Sequence, residues 1–170
     1  MNIDIINSKN FESFALQVFN HQFENNIVYQ NYCNQLNINS SKIKSIEKIP
    51  FLPISFFKSH KVISSQKKIK KTFISSGTTG TKSYHYITDL NLYEKSIKSC
   101  FNTFYGDSSL YAFLGITPKP IEKPNSSLIY MINFFIKNSI YSDSSFVNSA
   151  EDLKAKSSYF EKKNIKYIVY

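Results

Sequence analysis

The run Ser75–Ser83, SSGTTGTKS, gathers residue types that can hold an anion. Two of the chain's four glycines, Gly77 and Gly80, lie in it. Glycine opens backbone angles closed to other residues and lets main-chain N–H groups come close to a ligand. Ser75, Ser76, Thr78, Thr79 and Ser83 add hydroxyl donors, and Lys82 adds a full positive charge. Together they describe a phosphate cradle. A plain hairpin turn draws on the same residue types, but it needs only about two to five linking residues, and this run is longer and regularly ordered. Two familiar phosphate loops are excluded by spacing. A Walker loop places its lysine directly after the second glycine of G-x-x-x-x-G-K-[ST]; here only Thr78 and Thr79 separate the glycines, and Thr81 precedes Lys82. The dinucleotide fingerprint G-x-G-x-x-G also fails, because no glycine stands at the first spacing. His85, two residues past Ser83, is the one histidine placed to project toward a ligand at the run, with a surface role as its alternative; His21 and His60 have no neighbouring chemistry and read as structural.

Elements on either side must position this run. KTFI (Lys71–Ile74) and YHYI (Tyr84–Ile87) read as short strands, so the run joins strand to strand. Upstream, Ser8 is an N-cap candidate for a helix whose Phe11, Phe14, Ala15, Val18, Phe19 and Phe23 recur at helical spacing and predict a face packed on a core. A second helix is expected over Ile27–Ile38, with Cys33 on its apolar side. Pro50 and Pro53 then exclude a long helix and predict an extended crossing. Downstream, Asp89 caps a predicted helix with Leu92, Tyr93, Ile97, Cys100, Phe101 and Phe104 on its apolar face, which makes Cys100 a core residue; Gly106 stands where that helix stops. Leu110–Ile116 has the continuous apolar character of a strand covered on both faces. A helix is expected over Leu128–Lys137, Ser149 and Asp152 resemble a capping box for a last helix, and IKYIVY reads as another buried strand. Alternating strands and helices imply an α/β fold with a largely parallel sheet and flanking helices. The expected organisation is a helical segment over residues 1–48 and an α/β part over 49–170. Because a buried strand seldom closes a chain, the expectation is the front part of a longer protein, to be tested by the sequence that follows Tyr170.

Composition narrows the function classes. With 170 residues, 42% hydrophobic and 16% aromatic, the chain can build a real core. Its longest apolar stretches, such as Leu128–Ile136, reach about half of the ~20 residues a membrane span needs, and no signal-like N-terminus is present. A cytoplasmic location follows by default. Cys33 and Cys100 have no metal-ligand spacing, so no structural metal is expected. The net charge of +9 comes from 21 basic residues that are all lysine, without the guanidinium forks that read guanine edges; a nucleic-acid partner is not expected. Lys67–Lys71, KKIKK, is the one dense basic run.

The run Ser75–Gly80 resembles the Ser/Thr/Gly-rich loop of adenylate-forming enzymes, [ST]-S-G-[ST]-T-G-x-P-K, and matches its first six positions without a gap. It departs in lacking the proline and in bringing Lys82 one residue early. With IPFLPISFFKSHKV upstream, FISSGTTGTKSYHYITDLNLYEKS across the loop and PNSSLIYMINFFI downstream, the chain resembles the LuxE-like acyl-protein synthetase family, most clearly from about Ile49 onward. The resemblance implies the incomplete N-terminal domain of an adenylate-forming enzyme. It implies ATP and Mg²⁺ as cofactors and a fatty or other carboxylic acid as substrate. The acyl group would pass from an adenylate to a protein thiol, on the way to an acyl-carrier or reductase protein. In such enzymes the loop meets the β- and γ-phosphates, which assigns cofactor binding to Ser75, Ser76, Gly77, Thr78, Thr79, Gly80, Lys82, Ser83 and His85. The adenine and ribose contacts, the acidic residue near the metal and the acyl-accepting cysteine belong to later sequence in that family, so no residue here receives a catalytic role. Two rivals stand beside this reading: a non-catalytic nucleotide- or polyanion-binding module, and an inactive remnant with an unfinished core.

Overall fold

The computed structural model describes residues 9–65, 67–77 and 80–170. In chain order its elements are α1 (Phe11–Asn25), α2 (Ile27–Gln35), α3 (Phe56–Ser59), β1 (Lys71–Ile74), β2 (Tyr84–Ile87), α4 (Leu90–Tyr105), β3 (Ala112–Gly115), α5 (Ser127–Asn138), β4 (Ser145–Phe146), α6 (Ala150–Lys162) and β5 (Tyr167–Val169). They fall into two compact units: residues up to Ile69 with Gly77–Thr88, and Lys70–Ser76 with Asp89–Tyr170.

In the first unit α1 and α2 pack as neighbours. The expected cap Ser8 lies outside the described residues; Asn10 holds the cap position of α1, and its side chain does not cap the helix. Asn26 starts α2, its Oδ1 accepting from the Tyr29 N–H at 3.2 Å. Phe19, Tyr29 and Cys33 form the buried cluster, with Phe23, Ile38, Ile49 and Leu52 against it. Cys33 packs as expected, wholly buried and a free thiol. The Tyr29 hydroxyl donates to the Pro50 carbonyl at 2.6 Å, which ties the proline-bearing crossing to the helices.

The second unit is a mixed α/β layer. Its three-stranded sheet runs β4-β3-β5, and both pairings are parallel, with Leu114 opposite Ser145 and Phe113 opposite Ile168. Ala112, Phe113 and Leu114 of β3 have no exposed surface, as the uninterrupted apolar run predicts. Strand alternation sends Phe113 to one face, where Phe101 of α4 and Phe135 of α5 meet it, and Ala112 and Leu114 to the other, where Phe160 of α6 covers them. The chain passes from the central β3 to β4 on one side and then from β4 back across β3 to β5 on the other; crossovers of one hand therefore put α5 and α6 on opposite faces. Phe73 of β1 is also buried, its ring 5.0 Å from Tyr93 and 5.3 Å from Tyr130. The Tyr130 hydroxyl donates to Glu94 at 2.5 Å, and burial together with that carboxylate pushes the phenol up to about 12.

Helix ends follow their sequence signals. Asp89 Oδ1 accepts from Leu92 N–H at 3.0 Å, Gly106 ends α4 at φ 81°, and Ser149 Oγ accepts from Asp152 N–H at 3.1 Å. The Asp152 carboxylate reaches Asn148 N–H at 3.3 Å, one residue before the position a capping box uses. Two expectations are corrected. Cys100 is exposed, because Tyr93, Ile97 and Phe101 form the stripe that packs inward, while Leu92, Cys100 and Phe104 fall on the flank. The last strand is half-buried instead of buried: β5 lies at the end of the described sheet, and its Val169 is 40% exposed.

Candidate functional site

The hydroxyl-glycine run divides between the units: Ser75 and Ser76 go with the second, Gly77 and Gly80–His85 with the first. Thr78 and Thr79 lie outside the described residues. Ser75 and Ser76 are exposed. Gly77 and Gly80 take φ of 70° and 90°, the left-handed region where a side chain strains the backbone, and this is the conformational need that places two glycines here. The Gly80 N–H donates to the Gly77 carbonyl at 2.9 Å and closes the bend. That amide is engaged internally. Lys82 folds its stem over Gly77, and a Cβ built on Gly77 would sit 2.8 Å from the Lys82 Cγ. The two glycines and the lysine are therefore one local structure: positive φ makes the bend, and the missing side chain makes room for the lysine. Lys82 itself is exposed, and Ser83 is half-buried.

His85 belongs to a different surface of the same unit. It lines a cavity of about 610 Å³ whose wall is built from α1 (Phe14, Ala15, Val18), the Ile46–Leu52 stretch, Phe57, Tyr86 of β2 and Thr88 just after it. Its ring meets Phe57 edge-on at 6.1 Å, and burial of part of the imidazole lowers its pKa, which favours the neutral ring. His21 and His60 hold local partners, Asn25 at 3.2 Å and Ser59 at 2.8 Å. The cavity was not visible in the sequence: a helical face of aromatic and aliphatic residues reads the same whether it meets other side chains or a hollow. Exposed aromatics next to it, Phe11 at 53% and Phe51 at 79%, are the nearest thing to a signal.

The acyl-protein synthetase (LuxE) family model matches residues 5–102, more than half the chain, and takes in the whole run Ser75–Ser83. The chain belongs to the LuxE acyl-protein synthetase family. Among LuxE-related curated proteins it is 33% identical over 73 residues to a long-chain-fatty-acid–luciferin-component ligase of Photorhabdus luminescens. That alignment covers 42% of this chain and 62% of the relative. No solved structure matches the chain. Among the described residues no helix is long and apolar enough to cross a membrane.

Proposed function

We propose that the chain serves ATP-dependent activation of a fatty acid, or a related carboxylic acid, and delivery of the acyl group to a protein thiol, within an adenylate-forming type of domain. In this reaction a carboxylate oxygen attacks the α-phosphorus of ATP, the bond to the bridging oxygen breaks, and pyrophosphate leaves with the electron pair. A thiolate then attacks the acyl carbon and AMP departs. The observation that carries the reading is the LuxE match across a run whose two glycines both adopt positive φ. With the Gly80 N–H engaged in the bend, the negative charge on the leaving pyrophosphate falls to the Lys82 ammonium and to the hydroxyls of Ser75, Ser76, Thr78, Thr79 and Ser83. Fixed donors aimed at developing charge are the main lever in such chemistry. Mg²⁺ supplies charge neutralisation on the phosphates when bound. Among the described residues no group of three or more His, Cys, Asp or Glu could hold an ion, and no step is routed through the metal.

The test is fatty-acid-dependent exchange of labelled pyrophosphate into ATP by the product of the whole reading frame. Lys82→Ala and Gly77→Ala are expected to cut exchange by tenfold or more. Exchange unchanged in both overturns the loop's assignment. A second reading, the non-catalytic polyanion-binding module, is favoured by one observation: Lys61, Lys67 and Lys68 line a hollow of about 550 Å³ in the first unit. Such binding fades steeply with salt and ignores the base, whereas ATP recognition discriminates among nucleotides.

A further inference from the structure

We propose that the cavity of the first unit, walled by α1, the Ile46–Leu52 stretch and β2, is the seat of the substrate's acyl tail, separate from the loop that meets phosphate. The identity of the acid rests on the fatty-acid reading above; the existence of an apolar ligand site does not.

Its volume of about 610 Å³ falls within the roughly 300–1,000 Å³ of pockets that take small molecules. None of its described lining residues is Asp, Glu or Lys, in a chain that is 19% charged and carries 21 lysines. Three polar residues of the wall, Gln22, Asn26 and Tyr29, are tied to one another or to the main chain, and Ser64, His85 and Thr88 line it as well. Asn26 Oδ1 accepts from Tyr29 N–H, Asn26 Nδ2 donates to Gln22 at 3.2 Å, and the Tyr29 hydroxyl is held by the Pro50 carbonyl. A nucleotide phosphate would meet no lysine among the described lining residues, Lys61 lying outside them with its ammonium 5.9 Å from the Tyr86 ring, whereas an alkyl chain loses only its contact with water. Phe11 and Phe51 combine wall positions with large exposure and so leave an apolar entrance open to solvent. Continuity along the chain joins the two tasks: His85, Tyr86 and Thr88 line the cavity and lie within five residues of Ser83. An acid whose tail lies in the cavity thus has its pocket wall tethered, a few residues away, to the loop assigned to ATP.

The test titrates the purified chain, without ATP, with cis-parinaric acid, a fluorescent polyene fatty acid, and displaces it with saturated acids of increasing length. One saturable site is expected, with affinity rising about fourfold per added methylene until the cavity is filled. Ala15→Phe, which fills the hollow from α1, should weaken long acids tenfold or more and move the plateau to shorter chains, with the helical circular dichroism retained. Should that variant fail to fold, Thr88→Phe fills the hollow from the residue after β2 and carries the same expectation. Absence of saturable binding overturns the proposal. So does binding indifferent to the folded variant, or a dimer in sedimentation whose contact shields Ala15 and Phe51 while the acid stays unbound. Tail binding without pyrophosphate exchange in the whole product overturns the activation reading and leaves the pocket standing. Exchange whose chain-length preference ignores both substitutions overturns the pocket alone.

Discussion

The two units use aromatic residues in opposite ways. In the second, Phe101, Phe113 and Phe135 close on one another, their ring centroids 4.9 to 5.6 Å apart, and all three are buried. In the first, α1 presents Phe11, Phe14 and Phe19 along one face, yet only Phe19 is buried and all three border the hollow. Residue type and helical spacing are alike in both. The difference lies in what stands opposite: a covered strand supplies side chains to fill the space against α4 and α5, whereas the proline-bearing stretch facing α1 leaves room. A filled cluster adds to stability, and an open one costs stability and can serve binding.

Substitutions should separate the two cases. The largest effect is expected from Phe113→Ala, which empties the middle of the filled cluster and should cost about 3–5 kcal/mol in urea denaturation. Next comes Ser144→Ala. The Ser144 hydroxyl is buried and accepts from the Phe113 N–H at 3.1 Å; its loss orphans a main-chain donor of the central strand and should cost about 1–3 kcal/mol. Phe14→Ala should cost no more than about 1 kcal/mol, because its half-buried ring already faces a hollow. A loss as large as that of Phe113→Ala would erase the contrast. The smallest effect concerns pH. Burial lowers the His85 pKa below its usual 6.5, so the unfolded chain binds that proton more readily than the folded one. The stability this gives is present above the usual value and declines as pH falls through the lowered one. Thermal midpoints should therefore drop on mild acidification, and His85→Gln should flatten that dependence.

Much of the fold was legible residue by residue. KTFI and YHYI mark β1 and β2 to the residue, since short β-branched and aromatic runs next to glycine and serine leave few alternatives. Asp89, Gly106 and Ser149 mark helix ends because their side chains or φ satisfy local needs. The two-residue strand β4 carried no such signal: Ser145–Phe146 exists because Leu114 and Gly115 offer it a parallel edge. Cys100 was misplaced because a wide apolar set on α4 contains two stripes, and only packing chooses between them. The run Ser75–Ser83 was recognisable as chemistry from residue type and order, and its glycines do carry positive φ. The engagement of the Gly80 N–H and the folding of Lys82 over Gly77 were not readable.

By itself the sequence determined the local structure, the family and the glycine loop, because these rest on neighbours within a few residues or on an ordered string. Tertiary structure alone decided which apolar faces are covered and which enclose a void. That outcome depends on whether residues far apart in the chain bring enough volume to the same place, and no local pattern encodes it.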